Sequence, residues 1–481
     1  MKPLLPLAYC SFTPRCRQGW AWLLLPLLLA LPRLSYGQTQ VPTYEWATTC
    51  ASYEAGGFGP TKLVVDGQGN TYVCGTFTGT TLIGNTTLTT SGPDPGKMDV
   101  YVAKLNAQGQ YLWVAQAGGD GEDFATGLAL DGQGHVYVGG LYNSFLLRFG
   151  GSGTGIGVYV ASSQTDGYVA QLDAATGAWQ WARRMGGTGG ESVAGLAADA
   201  AGNVYVAGNF SSRSATFGPF TLLNAYTVSD TRRDIFVARL DATGTWQWAQ
   251  RTGGVGEETV RDMVRDPAGG LYLIGDYTGR APYSVTFGTT TLSAPTGVGT
   301  NNSAGDAYVA YLSESGAWQW AEQTGNNTNT SGSEQVLRLT NLTLDGSRHL
   351  FVTGDFRTLN MRLGATVLTN VGSPVLGVPY VIYRTDVFVA RFDMATRSWA
   401  WASRAGGVES DAIGQPVVDA LGRVFVGGYI RNDVRPPFNN REIALAQLDA
   451  STGAWQQVIT PTPGFYLSSA LAFDTGGKLH I

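Results

Sequence analysis

Apolar and polar positions alternate along the chain in short runs rich in Val, Leu, Tyr, Phe and Trp, the two-residue period of β-strands. Four such runs return in a constant order. The first is a brief apolar run ending in Asp, as in Leu128-Ala-Leu-Asp131 and Leu342-Thr-Leu-Asp345. The second is aromatic-Val-x-Gly, the third Phe-Val-Ala-x-Leu and the fourth Trp-x-Trp-Ala. Asp-x-x-Gly joins the first run to the second, and Leu-Asp-Ala-x-Gly joins the third to the fourth. Both joints suit tight hairpins, because Asp bonds the backbone ahead of it and Gly accepts positive φ.

The set repeats, and repeats decide the fold. The second-strand phrase opens at Asp66, Asp131, Asp199, Asp266, Asp345, Asp419 and Asp474. The third-strand phrase starts at Asp99, Asp166, Asp234, Asp306, Asp386 and, in degenerate form, Glu442. Repeats span about residues 61–117, 124–185, 193–252, 260–324, 337–405 and 413–460, with a partial copy at 470–481. The pattern predicts an all-β fold, a β-propeller of four-stranded antiparallel blades over residues 38–481. An open array of β modules is the alternative, weakened because one four-stranded unit lacks a core of its own. Tyr44-Glu-Trp46-Ala47 reads as a fourth strand without its first three. Seven blades are therefore expected, the last truncated at Ile481 and completed in part by the N-terminal strand.

Composition agrees. Gly accounts for 66 of 481 residues, with 43% hydrophobic and 14% charged. That apolar content excludes a disordered chain, and glycines without a three-residue period exclude collagen. Residues 1–37 read as a secretory signal: Lys2, Arg15 and Arg17, an apolar run from Trp20 to Leu31, then small Ser35 and Gly37 before the cut. The run is short of the roughly 20 residues a spanning helix needs. A retained N-terminal anchor is the alternative. Removing residues 1–37 takes away four basic and no acidic side chains and moves the net charge from −5 to −9. A mildly acidic, charge-poor surface argues against nucleic acid as a partner, and no later segment predicts membrane insertion. Cys50 and Cys74 either pair or stay as isolated thiols.

The Gly-Asn-x-Tyr-Val-x-Gly phrase, followed by Asp-x-Phe-Val-Ala-x-Leu-Asp-x-x-Gly-x-Trp-x-Trp-Ala and Gly-Gly, resembles the bacterial SBBP-type β-propeller repeat over about residues 44–481. The resemblance implies a secreted or cell-surface protein, often with a C-terminal type IX secretion sorting domain. It implies no catalytic residues, since the shared positions are structural.

Strand order places the short Asp-Gly hairpins on one face and the second-to-third joints and blade crossings on the other. The joints are long: Thr78 to Met98, Asn143 to Thr165, Ser211 to Arg233, Thr278 to Gly305 and Arg357 to Thr385. They are either functional or tolerated insertions. Phrases such as Thr216-Phe-Gly-Pro-Phe-Thr-Leu222 predict ordered hairpins within them. In the sixth repeat the joint runs only from Ile430 to Arg441, so the rim is uneven there. The crossings carry the candidate ligand-face acids Asp120, Glu122, Asp123, Glu191, Glu257, Glu258, Glu409 and Asp411. Either they gather around a hard cation or each accepts backbone N–H bonds; the second is favoured, because no D-x-D-x-D-G run supplies a calcium loop.

The Trp pairs of the fourth strand, two residues apart, are expected to share a face and pack between blades. His135 and His349 stand on the short-loop face without a motif partner, and no Gly-x-Ser-x-Gly elbow, P-loop or metal spacing occurs. Neither a metal nor a cofactor is expected. These features predict a non-catalytic interaction or adhesion scaffold, secreted or at the outer cell surface, binding a protein or glycan through the long-loop face. The alternative is a glycan-active hydrolase or lyase with acids in the central funnel. Glycan binding predicts exposed rim aromatics at Tyr159, Tyr226, Tyr283 or Tyr380.

Overall fold

The repeated phrases fold as the strands they predict. The computed structural model describes residues 60–150, 156–159, 164–226, 228, 230–280, 283–293, 303–325, 337–346, 348–374, 383–430, 443–459 and 470–480, and every regular element among them is a β-strand. Blade one comprises Pro60–Val65, Thr71–Thr78, Met98–Leu105 and Tyr111–Gly118. Blade two comprises Asp123–Leu130, His135–Tyr142, Asp166–Asp173 and Trp179–Gly186. Blade three runs Glu191–Ala198, Val204–Phe210, Asp234–Leu240 and Trp246–Thr252. Blade four runs Glu257–Arg265, Leu271–Arg280, Ser303–Leu312 and Trp318–Gln323. Blade five has Leu337–Leu344, His349–Phe356, Asp386–Asp393 and Ser398–Ala405. Blade six has Ala412–Val418, Arg423–Tyr429, Ile443–Asp449 and Trp455–Ile459. In each, the four strands pair antiparallel in chain order.

First strands touch one another in series, so they line a hub, and fourth strands lie outermost. A seventh hairpin, Ala472–Phe473 with Leu479–His480, contacts the first strands of blades six and one. His480 Nδ1 lies 2.8 Å from Thr71 Oγ1, and Thr475 Oγ1 donates to Gly67 O at 3.2 Å. The blades therefore close into a ring with seven positions, a β-propeller and not an open array. Residues 1–37, Tyr44–Ala47, Cys50 and Ile481 lie outside the described residues. Cys74 is a free thiol whose pKa burial pushes up to about 12.

The Asp that starts each second-strand turn accepts the amides ahead of it, as Asp66 does from Gln68 and Asn70, both at 2.9 Å. In blades one to three the same carboxylate receives the hydroxyl of the strand-two tyrosine, Tyr72, Tyr137 or Tyr205. This doubly used Asp ties a local turn to the blade's interior.

The tryptophans do seal the junctions, but the expectation that each pair shares a face is corrected. Trp179 stands opposite Leu172 and Trp181 opposite Gln171, adjacent residues of strand three, because a β-bulge absorbs Gln180. The same register shift occurs in all six blades. Each pair thus points to both neighbours. Trp179 Nε1 donates to Gln116 O of the preceding blade at 3.1 Å, while Trp181 Nε1 donates to Ala242 O of the following one at 3.2 Å. Trp455 and Trp401 repeat the two directions at blades five and six. The forward-facing indole sits on the strand-three-to-four turn of the next blade. A Cβ on Gly244 there would lie 2.7 Å from Trp181, and the residue's φ of 75° is open to glycine.

Candidate functional site

The long-loop face is built from three layers: rim hairpins, blade crossings and the mouth of the hub. Blades one to five each carry the expected hairpin between strands two and three: Thr80–Ile83 with Thr86–Thr89, Leu146–Phe149 with Gly157–Tyr159, Ser214–Phe217 with Phe220–Leu223, Ser284–Phe287 with Thr290–Ser293, and Asn360–Leu363 with Thr366–Thr369. The hairpin of blade two pairs with the end of the fourth strand of blade one, and that of blade three does the same with blade two. Their inward residues, Phe149, Phe217 and Phe287, are buried edge-on against Trp179, Trp246 and Trp318 at centroid distances of 4.9, 5.6 and 5.1 Å. Alternate residues face solvent and are mostly Thr or Ser. The hairpins are wedges between blades that also form the rim.

The eight predicted acids divide into two kinds. Asp123, Glu191, Glu258 and Asp411 are buried where a crossing enters the first strand, away from any ligand surface. Each meets the Asp that begins strand three of the preceding blade, namely Asp99, Asp166, Asp234 or Asp386. A residue near the end of the preceding fourth strand binds that Asp: Gln116 Nε2 to Asp99 at 2.9 Å, Arg184 to Asp166 at 2.5 Å, Arg251 to Asp234, and Arg404 to Asp386 at 2.5 Å. Loop hydroxyls complete two of the pairs, Ser144 Oγ donating to Asp123 at 2.7 Å and Ser212 Oγ to Glu191 at 2.5 Å. The crossing glycines let the backbone run against these carboxyls. A Cβ on Gly253, whose φ is 153°, would lie 2.5 Å from Asp234 Oδ1 and 2.9 Å from Glu258 Oε2.

Burial pushes Asp123 up to about 7 and Glu191 up to about 8, and the neighbouring carboxylate adds to the shift. Glu258 moves in the same direction, first by burial and then by the charge of Asp234. Asp99 Oδ1, Asp123 Oδ1, Asp234 Oδ1 and both Glu258 oxygens lack a donor among the described residues. At the Asp234–Glu258 junction the two side chains hydrogen-bond each other, so one proton held between them supplies that donor and removes the like-charge repulsion. Each of the four junctions thus buries two neighbouring carboxyl groups, a carboxyl latch between successive blades. No group of three or more His, Cys, Asp or Glu arranged to hold a metal occurs among the described residues.

The other four acids fasten loops. Glu122 receives Lys97 at 3.1 Å, Glu257 lies 3.5 Å from Arg233, and Glu409 lies 3.4 Å from Arg384. Asp120 is exposed and accepts the amide of Phe145 at 2.8 Å. That bond positions a feature of the rim. Phe145 is 65% exposed, Tyr159 is 57% exposed, and the two rings stand edge to face with centroids 5.7 Å apart. Of the other rim candidates, Tyr283 is buried at 6% and packs against Tyr277, a correction to its expected exposure, because the blade-four joint folds its ring onto Gly279 and onto Gly254 and Gly256 of the preceding crossing. Tyr226 is half-buried beneath Arg232, and Tyr380 lies outside the described residues.

The histidines have partners after all. His135 Nδ1 lies 2.6 Å from Asp131 and His349 Nδ1 lies 2.5 Å from Asp345, the turn carboxylates four residues back. Asn70 and Asn203 make the same bond in blades one and three, which marks the position as a turn brace.

The hub mouth went unread in the sequence, although a polar residue ahead of the strand-two aromatic was the available signal. Asn209, Asp276 and Asp355 hold that position in blades three to five. Asn209 clasps the next blade through Val260 N and O at 2.8 and 3.1 Å. Asp276 takes two bonds from Arg261, at 2.7 and 3.3 Å, and one from Thr259. Lower in the hub, Lys62 of blade one reaches Asp262 of blade four at 3.8 Å, and Asp262 also accepts the amide of Leu342 at 3.1 Å.

No known family model matches the chain. It is 26% identical over 296 residues to the regulatory protein FlaEY of Caulobacter vibrioides, covering 59% of this chain and 28% of that protein's length. Among solved structures it is similar to the quinohemoprotein alcohol dehydrogenase of Comamonas testosteroni, with TM-score 0.43, 13% identity, and coverage of 87% of this chain and 69% of the other. It is also similar to BamB of Moraxella catarrhalis, with TM-score 0.33, 14% identity, and coverage of 81% and 94%. Likenesses this distant carry no functional argument.

Proposed function

We propose that the chain is a non-catalytic β-propeller of the SBBP type, secreted or displayed at the outer cell surface, that binds a glycan or protein through its long-loop face. The observation that carries this reading is the Phe145–Tyr159 pair: two large rings, mostly exposed, held edge to face by a bond from the neighbouring crossing. Exposed aromatic platforms of this kind stack on sugar rings or receive apolar side chains, and their exposure costs solvation that folding alone does not repay. The type IX sorting route belongs to the same proposal and rests on the repeat phrases.

Against the hydrolase or lyase alternative counts the use already made of the acids. Four crossing carboxyls are buried at blade junctions, the other four fasten loops, and Asp276 in the funnel is held by Arg261 and Thr259. Glycoside hydrolysis needs two carboxyl groups free to face a substrate.

The test is binding of the protein to an array of bacterial envelope polysaccharides and to extracted envelope proteins. The double variant Phe145→Ala, Tyr159→Ala is expected to lose at least about tenfold in affinity, the equivalent of roughly 1.4 kcal/mol. Thermal stability should stay within a few degrees of the parent, since both rings are exposed. Unchanged binding by a folded double variant would sink the reading.

A further inference from the structure

Five blades offer a common register position at the hub mouth, where the start of strand one faces the end of strand two. The pairs are Phe124 with Leu141, Ser192 with Asn209, Thr259 with Asp276, Arg338 with Asp355, and Ala412 with Tyr429. Cross-strand partners project from the same side of a sheet. Two of the polar pairs are spent on the fold, Asn209 on Val260 and Asp276 on Arg261 and Thr259.

The pair in blade five is not spent. Arg338 Nε is buried without a hydrogen-bond partner among the described residues. Asp355 accepts no hydrogen bond there either, although Arg338, Arg357 and Arg261 all exert charge on it. Just below, Thr353 Oγ1 donates to Gly414 O of blade six at 2.9 Å and closes that junction. Above this closure the blade-six wall consists of exposed Ala412 and half-buried Ile413 and Tyr429. The result is a corner where a guanidinium and a carboxyl feel each other's charge yet make no hydrogen bond among the described residues, facing a weakly polar wall.

A guanidinium in such a place binds a carboxylate through two parallel N–H bonds. The adjacent carboxyl accepts hydrogen bonds from hydroxyl groups. Burial raises the Asp355 pKa against the lowering charges of Arg338, Arg357 and Arg261. A ring that carries one carboxylate among several hydroxyls fits both groups. We propose that this corner of the hub mouth binds an acidic sugar, Arg338 holding the carboxylate of a uronate residue and Asp355 accepting its hydroxyls. The inference rests on the glycan form of the reading above and names its chemical class.

The test is calorimetric titration of the full protein with tri-galacturonate and, in parallel, with neutral galactotriose at low and high salt. Tri-galacturonate is expected to bind at least about tenfold tighter than galactotriose, with the advantage shrinking at high salt. Arg338→Gln should remove that advantage, and Arg338→Lys should restore part of it as a point charge. Asp355→Asn should weaken both sugars. Circular dichroism melts establish that each variant is folded, and Arg338→Lys serves should the Gln variant fail to fold. Equal affinity for the two sugars, no heat with tri-galacturonate, or an unaffected Arg338→Gln variant overturns the proposal. If tri-galacturonate fails while envelope binding still depends on Phe145 and Tyr159, only the hub site falls. If neither pair matters, the long-loop reading falls with it.

Discussion

Arg397 occupies the turn position that glycine holds in the other blades, with φ 51°. Its guanidinium lies over the Trp320 ring at 5.3 Å, so the contact that glycine makes by being small is made here by cation–π attraction. The left-handed backbone costs about 1–2 kcal/mol for a side-chain-bearing residue, and an exposed cation–π pair returns about 0.5–1. Arg397→Gly should therefore stabilise the protein by roughly 0.5–1 kcal/mol, read from the denaturant midpoint, whereas Arg397→Ala should destabilise it. Gly244→Ala tests the converse. Its Cβ would meet Trp181 at 2.7 Å in a left-handed backbone, and a loss of about 1–3 kcal/mol is expected from the combined strain and overpacking.

The hairpins and the fourth strand belong together as elements. A bulged strand sends one indole backward and one forward, and the hairpin phenylalanine fills the space beside the backward one. Phe217 is fully buried, 4.8 Å from the Phe236 centroid and 5.6 Å from that of Trp246. Phe217→Ala should cost about 3–5 kcal/mol, measured by chemical denaturation, because the wedge cannot collapse without separating two blades. Substitutions on the solvent face of the same hairpin, such as Thr221→Ala, should stay within about 0.5 kcal/mol. A joint that looks like a loop insertion is thus part of the wall between blades.

For the whole ring, the junction latches set a pH dependence. Asp123 and Glu191 have folded pKa values of about 7 and about 8, above the usual values near 4, and Glu258 is raised as well. Between the unfolded and folded values the native state holds more protons than the unfolded chain, so stability falls as pH rises. The latches contribute fully below about pH 4 and are spent once pH passes the folded values. The melting temperature is expected to decline from pH 5 to pH 9. Glu258→Gln, which keeps a donor toward Asp234 at every pH, should flatten part of that slope. A melting temperature that rises steadily over this range would show that the pairs are ionised throughout.

Strands, turns and their sevenfold recurrence were legible in the chain because each depends on neighbours a few residues apart. Alternation places side chains on two faces, Asp braces the turn ahead of it, and glycine opens positive φ. The ordered Phe-Gly hairpins were legible for the same reason. The direction of each indole was not, since one bulged residue such as Gln180 reverses a face without changing the two-residue spacing. Nor were the latches, which join the acid opening one blade to the Asp opening strand three of the blade before. The unspent Arg338–Asp355 corner likewise exists only once seven similar hairpins surround a common axis. Short-range torsional and hydrophobic preferences write the parts into the chain. Which carboxyls meet, which ring faces water and which polar groups go without a hydrogen bond follow from closing those parts into a ring, where distant residues compete for the same partners.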